Sequence, residues 1–534
     1  MQQTASTCDV VVVGAGFAGL YQVHRLQQAG YCVRAFEKGE DVGGTWYWNR
    51  YPGARCDIES LTYSYSFDAD LQREWRWPQR YAEQPDILRY LQHVAERFDL
   101  RRHFTFGTTV ESAVFDETSN RWQITTSGGE RISAQFLVMA TGCLSVPLEP
   151  HFEGQESFGG DRYFTSRWPR DGVDFTGKRV GVIGTGSSSI QSTPIIARQA
   201  EHLTVFQRTP QFAIPAWNRP LSDDEMREAQ ANYAEFRRIA RQSEVGIAYE
   251  SPTVGAKEAN DEEFERQMEF AWQRGGYLMV AAYPDLVLDL ESNARVSEWV
   301  KKKIAERIKD PETARKLMPQ YPLGAKRLCV DTEYFETFNR SNVTLVDLRD
   351  SPIERFTAQG IRTADGTEYT LDAVIFATGF DGITGALRAI DIRGRGGLPL
   401  REKWRDGALN YLGISVAGFP NLFTITGPGS PSVLYNMTAS IEQHVDFVFD
   451  AIDYLHKQKL ATIEARPREE RAWTKYVDWI AQQTIYTKVK SWYTGENVNG
   501  KPAGFMPYAG GGLTYFEFTR QVANEGYRGF TLAA

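Results

Sequence analysis

Paired cysteines, long apolar runs and a surplus of basic charge are all missing from this chain, and each absence closes off a class of function. Its cysteines, Cys8, Cys32, Cys56, Cys143 and Cys329, are odd in number, scattered and without a C-x-x-C pair. That pattern argues against a disulfide framework and a zinc site, and it suits reduced thiols in a cytoplasmic protein. No stretch approaches the ~18 apolar residues of a membrane-spanning helix, and no basic region leads into an apolar core with a cleavage site at the N-terminus. A net charge of −8 and a pI near 5.6 disfavour nucleic-acid or anionic-membrane partners. A local cluster of cations could still hold one phosphate.

What is present is an ordinary globular composition at a length of 534 residues, enough for several domains of roughly 100 to 200 residues each. Aromatic residues are plentiful, with 13 Trp, 25 Tyr and 30 Phe, so aromatic-lined pockets are expected beside an aromatic core. Neither composition nor charge calls for a macromolecular partner, and a monomer or weak oligomer is expected.

The organising stretch lies near one third of the chain. Lys178 to Ile183 leads into Gly184-Thr185-Gly186-Ser187-Ser188-Ser189-Ile190-Gln191, an apolar strand turning into a helix whose first N–H groups could hold a phosphate. The third glycine of the pattern is replaced by Ser189. A fuller copy sits near the N-terminus, where Val10 to Val13 enter Gly14-Ala15-Gly16-Phe17-Ala18-Gly19 and a second strand, Val33 to Phe36, ends at Glu37. A carboxylate there can accept hydrogen bonds from a ribose diol. The corresponding strand of the middle copy, Leu203 to Phe206, leads instead to Gln207-Arg208-Thr209. A guanidinium attracts the 2'-phosphate that a carboxylate repels, so the first site suits FAD and the second NADPH.

The repeat extends beyond the glycines. Gly128-Gly129 sits in a hairpin before Phe136 to Met139 and Ala140-Thr141-Gly142, and Asp365-Gly366 sits in another before Val374 to Phe376 and Ala377-Thr378-Gly379. The expected fold is therefore α/β, with two Rossmann-like dinucleotide-binding domains, the second inserted in the first. Residues 1–145 and 380–534 form the first, and 146–220 with 323–379 the second. Between them, 221–322 read as a helical insertion, with capping boxes at Ser222/Glu225 and Asn260/Glu263 and a helix beginning at Pro311. Its stripes, Phe264, Met268, Trp272 and then Val296, Val300, Ile304, Ile308, are read as core. A further helix is expected from Ser440.

Phe158-Gly159-Gly160-Asp161-Arg162-Tyr163-Phe164-Thr165-Ser166-Arg167-Trp168-Pro169 resembles the F-x-G-x-x-x-H-x-x-x-W-P signature of the flavin-dependent Baeyer-Villiger monooxygenases. Gly43 to Asp57, Ala377 to Asp381 and Ser491 to Gly495 are similar to that family too, and the resemblance covers essentially the whole chain, nearest to its phenylacetone and steroid branch. Two positions depart from it. Phe164 replaces the signature histidine with a ring that neither donates, accepts nor titrates, and Ser189 adds bulk where helix and strand approach closely.

The resemblance implies an NADPH- and dioxygen-dependent enzyme that inserts one oxygen atom beside a ketone carbonyl through a C4a-peroxyflavin, giving an ester or lactone. Arg327 matches the family's catalytic arginine and Asp57 its carboxylate partner. Thr45, Trp46, Trp48, Tyr63, Val110 and Met437 would join Gly14, Gly16, Ala18, Gly19, Glu37 and Asp57 around FAD. Lys326 would share the 2'-phosphate with Arg208. Arg55, Thr209 and Trp492, with Gly184, Thr185, Gly186, Ser187, Ser188 and Gln191, would complete the NADPH site. Val433, Leu434 and Tyr435 would line the substrate pocket. Alternatives are a flavin monooxygenase acting mainly on sulfides or amines, a flavin disulfide reductase, which needs the cysteine pair this sequence lacks, and a noncatalytic redox-sensing protein.

Overall fold

Four consecutive valines suit a strand covered on both faces, and Ser6–Val13 runs through the middle of an eight-stranded sheet with Val10 to Val12 fully buried. The computed structural model describes residues 6–534; the first residues of the polar leader lie outside them. Across the sheet the order is Asp391–Arg393, Val110–Asp116, Arg121–Thr126, Arg131–Met139, Ser6–Val13, Val33–Phe36 and Phe104–Thr105. Leu422–Thr424 joins the far end of Arg131–Met139, so the chain returns to this sheet after a long excursion. The excursion builds a second sheet of five parallel strands, Val343–Asp347, His202–Gln207, Arg179–Ile183, Ala373–Phe376 and Asp161–Phe164.

The two sheets repeat one plan. In each, the strand entering the glycine turn lies between the second strand of its unit and the strand ending in Ala-Thr-Gly. Gly14 and Gly184 share a φ of +108°, and a Cβ on either would meet a backbone carbonyl, Ala140 O at 2.4 Å or Ala377 O at 2.5 Å. Only glycine fits such a turn. The copies differ at the third position. A Cβ on Gly19 would lie 1.8 Å from Gly14 O, whereas Ser189 is fully buried with its hydroxyl 3.4 Å from that of Thr193. The helix Ser187–Gln199 is thus held less tightly against its turn than Phe17–Gln28 is.

Both expected hairpins form. Arg121–Thr126 pairs antiparallel with Arg131–Met139, and Gly360–Thr363 pairs with Glu368–Thr370 around Asp365-Gly366. The second belongs to a separate three-stranded sheet with Ile353–Thr357. The insertion carries helices Asp223–Arg241, Asp261–Arg274, Leu290–Ala305 and Pro311–Leu317. Ser222 and Glu225 make a reciprocal capping box; Asn260 accepts from Glu263 N, but Glu263 returns no such bond, so only half of that expected motif is built. The helix expected from Ser440 starts earlier, at Met437, because Asn436 caps it through Thr438 N.

That helix, Met437–Gln458, packs against Phe17–Gln28 and buries Val445 and Val448, while the Arg25 guanidinium covers Phe449 at 4.1 Å. His444 on its buried face accepts from Thr426 N–H at 3.0 Å, which leaves its other ring nitrogen to donate to the Tyr515 hydroxyl at 2.7 Å. Burial pushes this imidazole down to about 3.

Gly19→Ala should cost more than ~3 kcal/mol of stability and lower the thermal midpoint sharply, because its Cβ strikes backbone, while Ser189→Gly should cost only about 0.5 kcal/mol of helix propensity. Equal losses in thermal unfolding would refute the difference between the two turns. His444 stays neutral when folded but protonates near pH 6.5 when unfolded. Its contribution is therefore present above about pH 6.5 and lost at about 1.4 kcal/mol per unit as pH falls toward about 3. Denaturant titrations of His444→Gln should show a shallower acid slope than the unaltered chain; identical slopes would contradict it.

Candidate active site

The first glycine turn presents an open anion cradle. Gly16 is the N-cap of Phe17–Gln28 in extended conformation and no side chain caps the helix, so its leading N–H groups are free for a phosphate. Glu37 sits beside the turn, 6% exposed, accepting from Ala15 N at 2.8 Å and Gly39 N at 2.6 Å. Those bonds fix the carboxylate and leave lone pairs for a ribose diol. The Gly43-Gly44 corner docks on the turn through Gly43 N to Ala15 O, and a Cβ on Gly44 would lie 2.7 Å from Gly16 Cα. From this corner rises the single turn Thr45–Trp48, where Trp46 donates to the Tyr63 hydroxyl at 3.2 Å and Lys38 faces the Trp48 ring. Ala18 and Val110 are buried nearby, and Met437 lies at the start of its helix in the apolar cluster of Val433 and Leu434. This donor set fits a dinucleotide with an unphosphorylated ribose.

The second turn is a match with different charge. Gly186 is the uncapped N-cap of Ser187–Gln199, and a Cβ there would meet nothing within 4 Å. Thr185 donates to Thr209 O at 2.7 Å, which ties the turn to the segment after Gln207. Arg208 is exposed and Lys326 half-buried, and among the described residues neither forms an ion pair. Burial and the neighbouring Arg208 push the Lys326 ammonium down from its ordinary value. Two cations held together without a carboxylate form a site for a doubly charged anion such as a 2'-phosphate.

Several residues expected at this second site have other partners. Gln191 receives the Tyr51 hydroxyl at 2.7 Å and donates to Arg55 O at 3.1 Å, so its side chain clasps the 51–55 loop of the first unit. The Arg55 guanidinium pairs with Glu83 at 2.9 Å, and Ser187 bonds Cys329 at 3.3 Å. Ser188 lies half-buried beside it on the first turn. Trp492 packs over Gly382 and against Tyr493, and its indole N–H has no acceptor among the described residues. Phe164 fills an apolar slot, stacked on Phe376 at 4.8 Å with Arg167 over its other side.

Between the two units lies the junction expected of Arg327 and Asp57. Arg327 donates from Nε and one terminal nitrogen to the two oxygens of Asp57, each at 2.8 Å, a planar fork on a carboxylate. Its other terminal nitrogen donates to Val433 O at 2.5 Å, and the guanidinium lies 4.0 Å from the centre of the Tyr277 ring. Burial alone would lower its pKa, but Asp57 outweighs burial and holds it well above the ordinary value. The tyrosines around it, Tyr277 and Tyr493, are pushed up by burial and stay neutral. Three of the five guanidinium N–H groups are committed, so two remain for an incoming oxygen.

Sequence reasoning did not find Tyr277 or the Val433 carbonyl. Tyr277 follows Gly275-Gly276 in the insertion, between the two apolar stripes read as core, and that glycine pair is the one local hint of a close approach. A backbone carbonyl has no signature at all. The three loop residues expected to line one pocket also separate: Val433 and Leu434 join Tyr493, Phe505 and Met437, while the Tyr435 ring lies between Gly246, Gly512 and Phe516.

The chain is similar to known proteins along nearly its full length. The family described as pyridine nucleotide-disulphide oxidoreductase matches residues 11–281, although all five cysteines here are free thiols. The chain is 42% identical to an acetone monooxygenase (methyl acetate-forming) of Gordonia sp. (strain TY-5), over 99% of this chain and all of that protein. It is also 42% identical to a Baeyer-Villiger monooxygenase of Pseudooceanicola batsensis, over 97% of this chain and 95% of the other. The structure of an oxidised steroid monooxygenase bound to NADP superposes with a TM-score of 0.95 at 49% identity, covering 99% of this chain and 100% of that one. With two glycine turns, a cationic second site and one half-buried guanidinium between them, and with this likeness along nearly its full length, the chain belongs to the Baeyer-Villiger monooxygenases.

Proposed function

We propose that this protein is an FAD-containing, NADPH-dependent monooxygenase that inserts one oxygen atom of dioxygen beside a ketone carbonyl to give an ester or lactone. The observation that carries the reading is Arg327, desolvated, permanently charged and aimed by Asp57 at the junction of two nucleotide cradles. When bound, FAD reduced by NADPH reacts with dioxygen and supplies the inserted oxygen. The protein supplies orientation, exclusion of water and charge.

The first turn, with Gly14, Gly16, Gly19 and Glu37, would hold FAD, and the second, with Gly184, Gly186, Arg208 and Lys326, would hold NADPH. The domain limits follow the same division. The first unit is 1–145 with 380–534, supported by the return of Leu422–Thr424 to its sheet; the second is 146–220 with 323–379, and 221–322 is the insertion. Asp57 orients the guanidinium, and the Val433 carbonyl limits its swing. Negative charge grows on the ketone oxygen as the carbonyl is attacked, and the two uncommitted N–H groups of Arg327 are the donors that would meet it. The apolar wall of Val433, Leu434, Tyr493 and Phe505 keeps water from the same space.

The five unpaired thiols support a cytoplasmic setting, and no helix among the described residues is long and apolar enough to cross a membrane. Dioxygen and a small ketone are the partners we assign, and the working unit is taken as a monomer or weak oligomer.

Arg327→Ala should leave reduction of bound flavin by NADPH measurable in stopped flow while ester formation falls by at least ~10²-fold. Ester formed at an undiminished rate would remove the assigned role. Arg208→Ala should raise KM for NADPH by roughly 10-fold or more and change KM for NADH little, since NADH lacks the 2'-phosphate. Equal losses with both cofactors would sink the phosphate assignment.

A further inference from the structure

One aromatic side chain at the edge of the site is held by two glycines from distant parts of the chain. Tyr435 is 3% exposed, and its ring meets Phe516 edge-on at 5.1 Å. On one side lies Gly246, early in the loop after the helix Asp223–Arg241, where a Cβ would come within 2.5 Å of the ring. On the other lies Gly512, the first residue of the helix Gly512–Asn524, where a Cβ would come within 2.0 Å. The hydroxyl donates to Arg241 O at 3.4 Å.

The backbone closes the same junction. Asn436 N–H donates to Val245 O at 2.9 Å, Gly512 N–H donates to Glu244 O at 3.3 Å, and the Asn436 amide reaches Thr62 O at 2.9 Å and Gly246 O at 3.3 Å. Insertion, C-terminal helix and first unit therefore all meet at Tyr435 and Asn436. Two residues upstream, Val433 offers its carbonyl to Arg327. The intervening Ser432–Leu434 forms a tight 3₁₀ turn, closed by Tyr435 N–H to Ser432 O at 3.2 Å, so displacement of the ring moves the carbonyl with it.

We propose that Tyr435 is a positioning residue, its ring keyed between Gly246 and Gly512 so that the Val433 carbonyl stays where it meets the Arg327 guanidinium. The consequence for oxygenation rests on the function proposed above; the lock itself does not. Gly246 has a φ of +72° and suits glycine for its backbone alone. Gly512 has no such excuse. Its backbone is one any residue adopts, and alanine would favour the helix, so the first obstacle to a methyl group there is the ring of Tyr435, whose atoms are the three nearest.

Gly512→Ala is therefore a selective probe of the lock, read in the flavin-loaded protein beside Tyr435→Ala, Tyr435→Phe and the double variant Gly512→Ala/Tyr435→Ala. Gly512→Ala should speed tryptic cleavage after Arg241 about tenfold and lower ester formed per NADPH consumed about fivefold, with KM for NADPH unchanged. In the Tyr435→Ala background it should add less than about twofold to either. Tyr435→Phe keeps the ring and should retain coupling that Tyr435→Ala loses, which decides the matter even if Gly512→Ala fails to fold. Effects of Gly512→Ala that are equal with and without the ring, or equal losses in Tyr435→Phe and Tyr435→Ala, would overturn the proposal. Should the unaltered chain make no ester from any ketone, the function above fails, while the cleavage rates still decide the lock.

Discussion

A guanidinium with little access to water, forked onto a carboxylate from the other half of the molecule, is the constraint on which the site depends. Asp57 comes from the loop that follows the single turn Thr45–Trp48, and Arg327 from the segment that leads out of the insertion into the second unit. Removing one member of such a pair leaves a poorly solvated charge without its partner, so the pair fixes how the two halves meet as well as where the charge sits. The Tyr277 ring and the Val433 carbonyl complete the enclosure. Each draws on a different element, and a shift in any of them is felt by the same guanidinium.

Duplication explains why such a junction exists. Two units with the same strand order each present an uncapped helix N-terminus, and they are stitched by Gln191 gripping Tyr51 and Arg55. The copies then diverged in charge. Glu37 in the first is saturated by backbone N–H groups on its inner side, while Arg208 and Lys326 in the second stand without an acidic partner among the described residues. On a protein of net charge −8, that pair makes a local positive field beside the second glycine turn.

Much of this was legible in the sequence because it rests on backbone requirements that only certain residues meet. The positions of Gly14 and Gly184 forbid a Cβ, and the acidic or basic end of the following strand sets the charge of each cradle. The helix stripes, the hairpins and the helix start at Pro311 after its cap Asp310 are local signals of the same kind. What escaped depends on tertiary closure. Tyr277 stands 50 residues from Arg327 and reads as one more core aromatic, and Val433 contributes a carbonyl that its side chain does not announce. The direction of Tyr435 is likewise not legible in its loop: it is expected with Val433 and Leu434 along the substrate pocket, and after the tight turn at Ser432–Leu434 its ring lies between Gly246 and Gly512. Phe164 is an unusual residue in a signature position, and its ring stacks on Phe376.

The most direct test of the ion pair as a single working unit is a double-mutant cycle on kcat/KM for ketone oxygenation, combining Asp57→Ala with Arg327→Ala. If the carboxylate acts by aiming the guanidinium, the double variant should be no worse than Arg327→Ala alone, a coupling of roughly 2 kcal/mol or more. Losses that simply add would mean that Asp57 and Arg327 act independently, and would contradict the account.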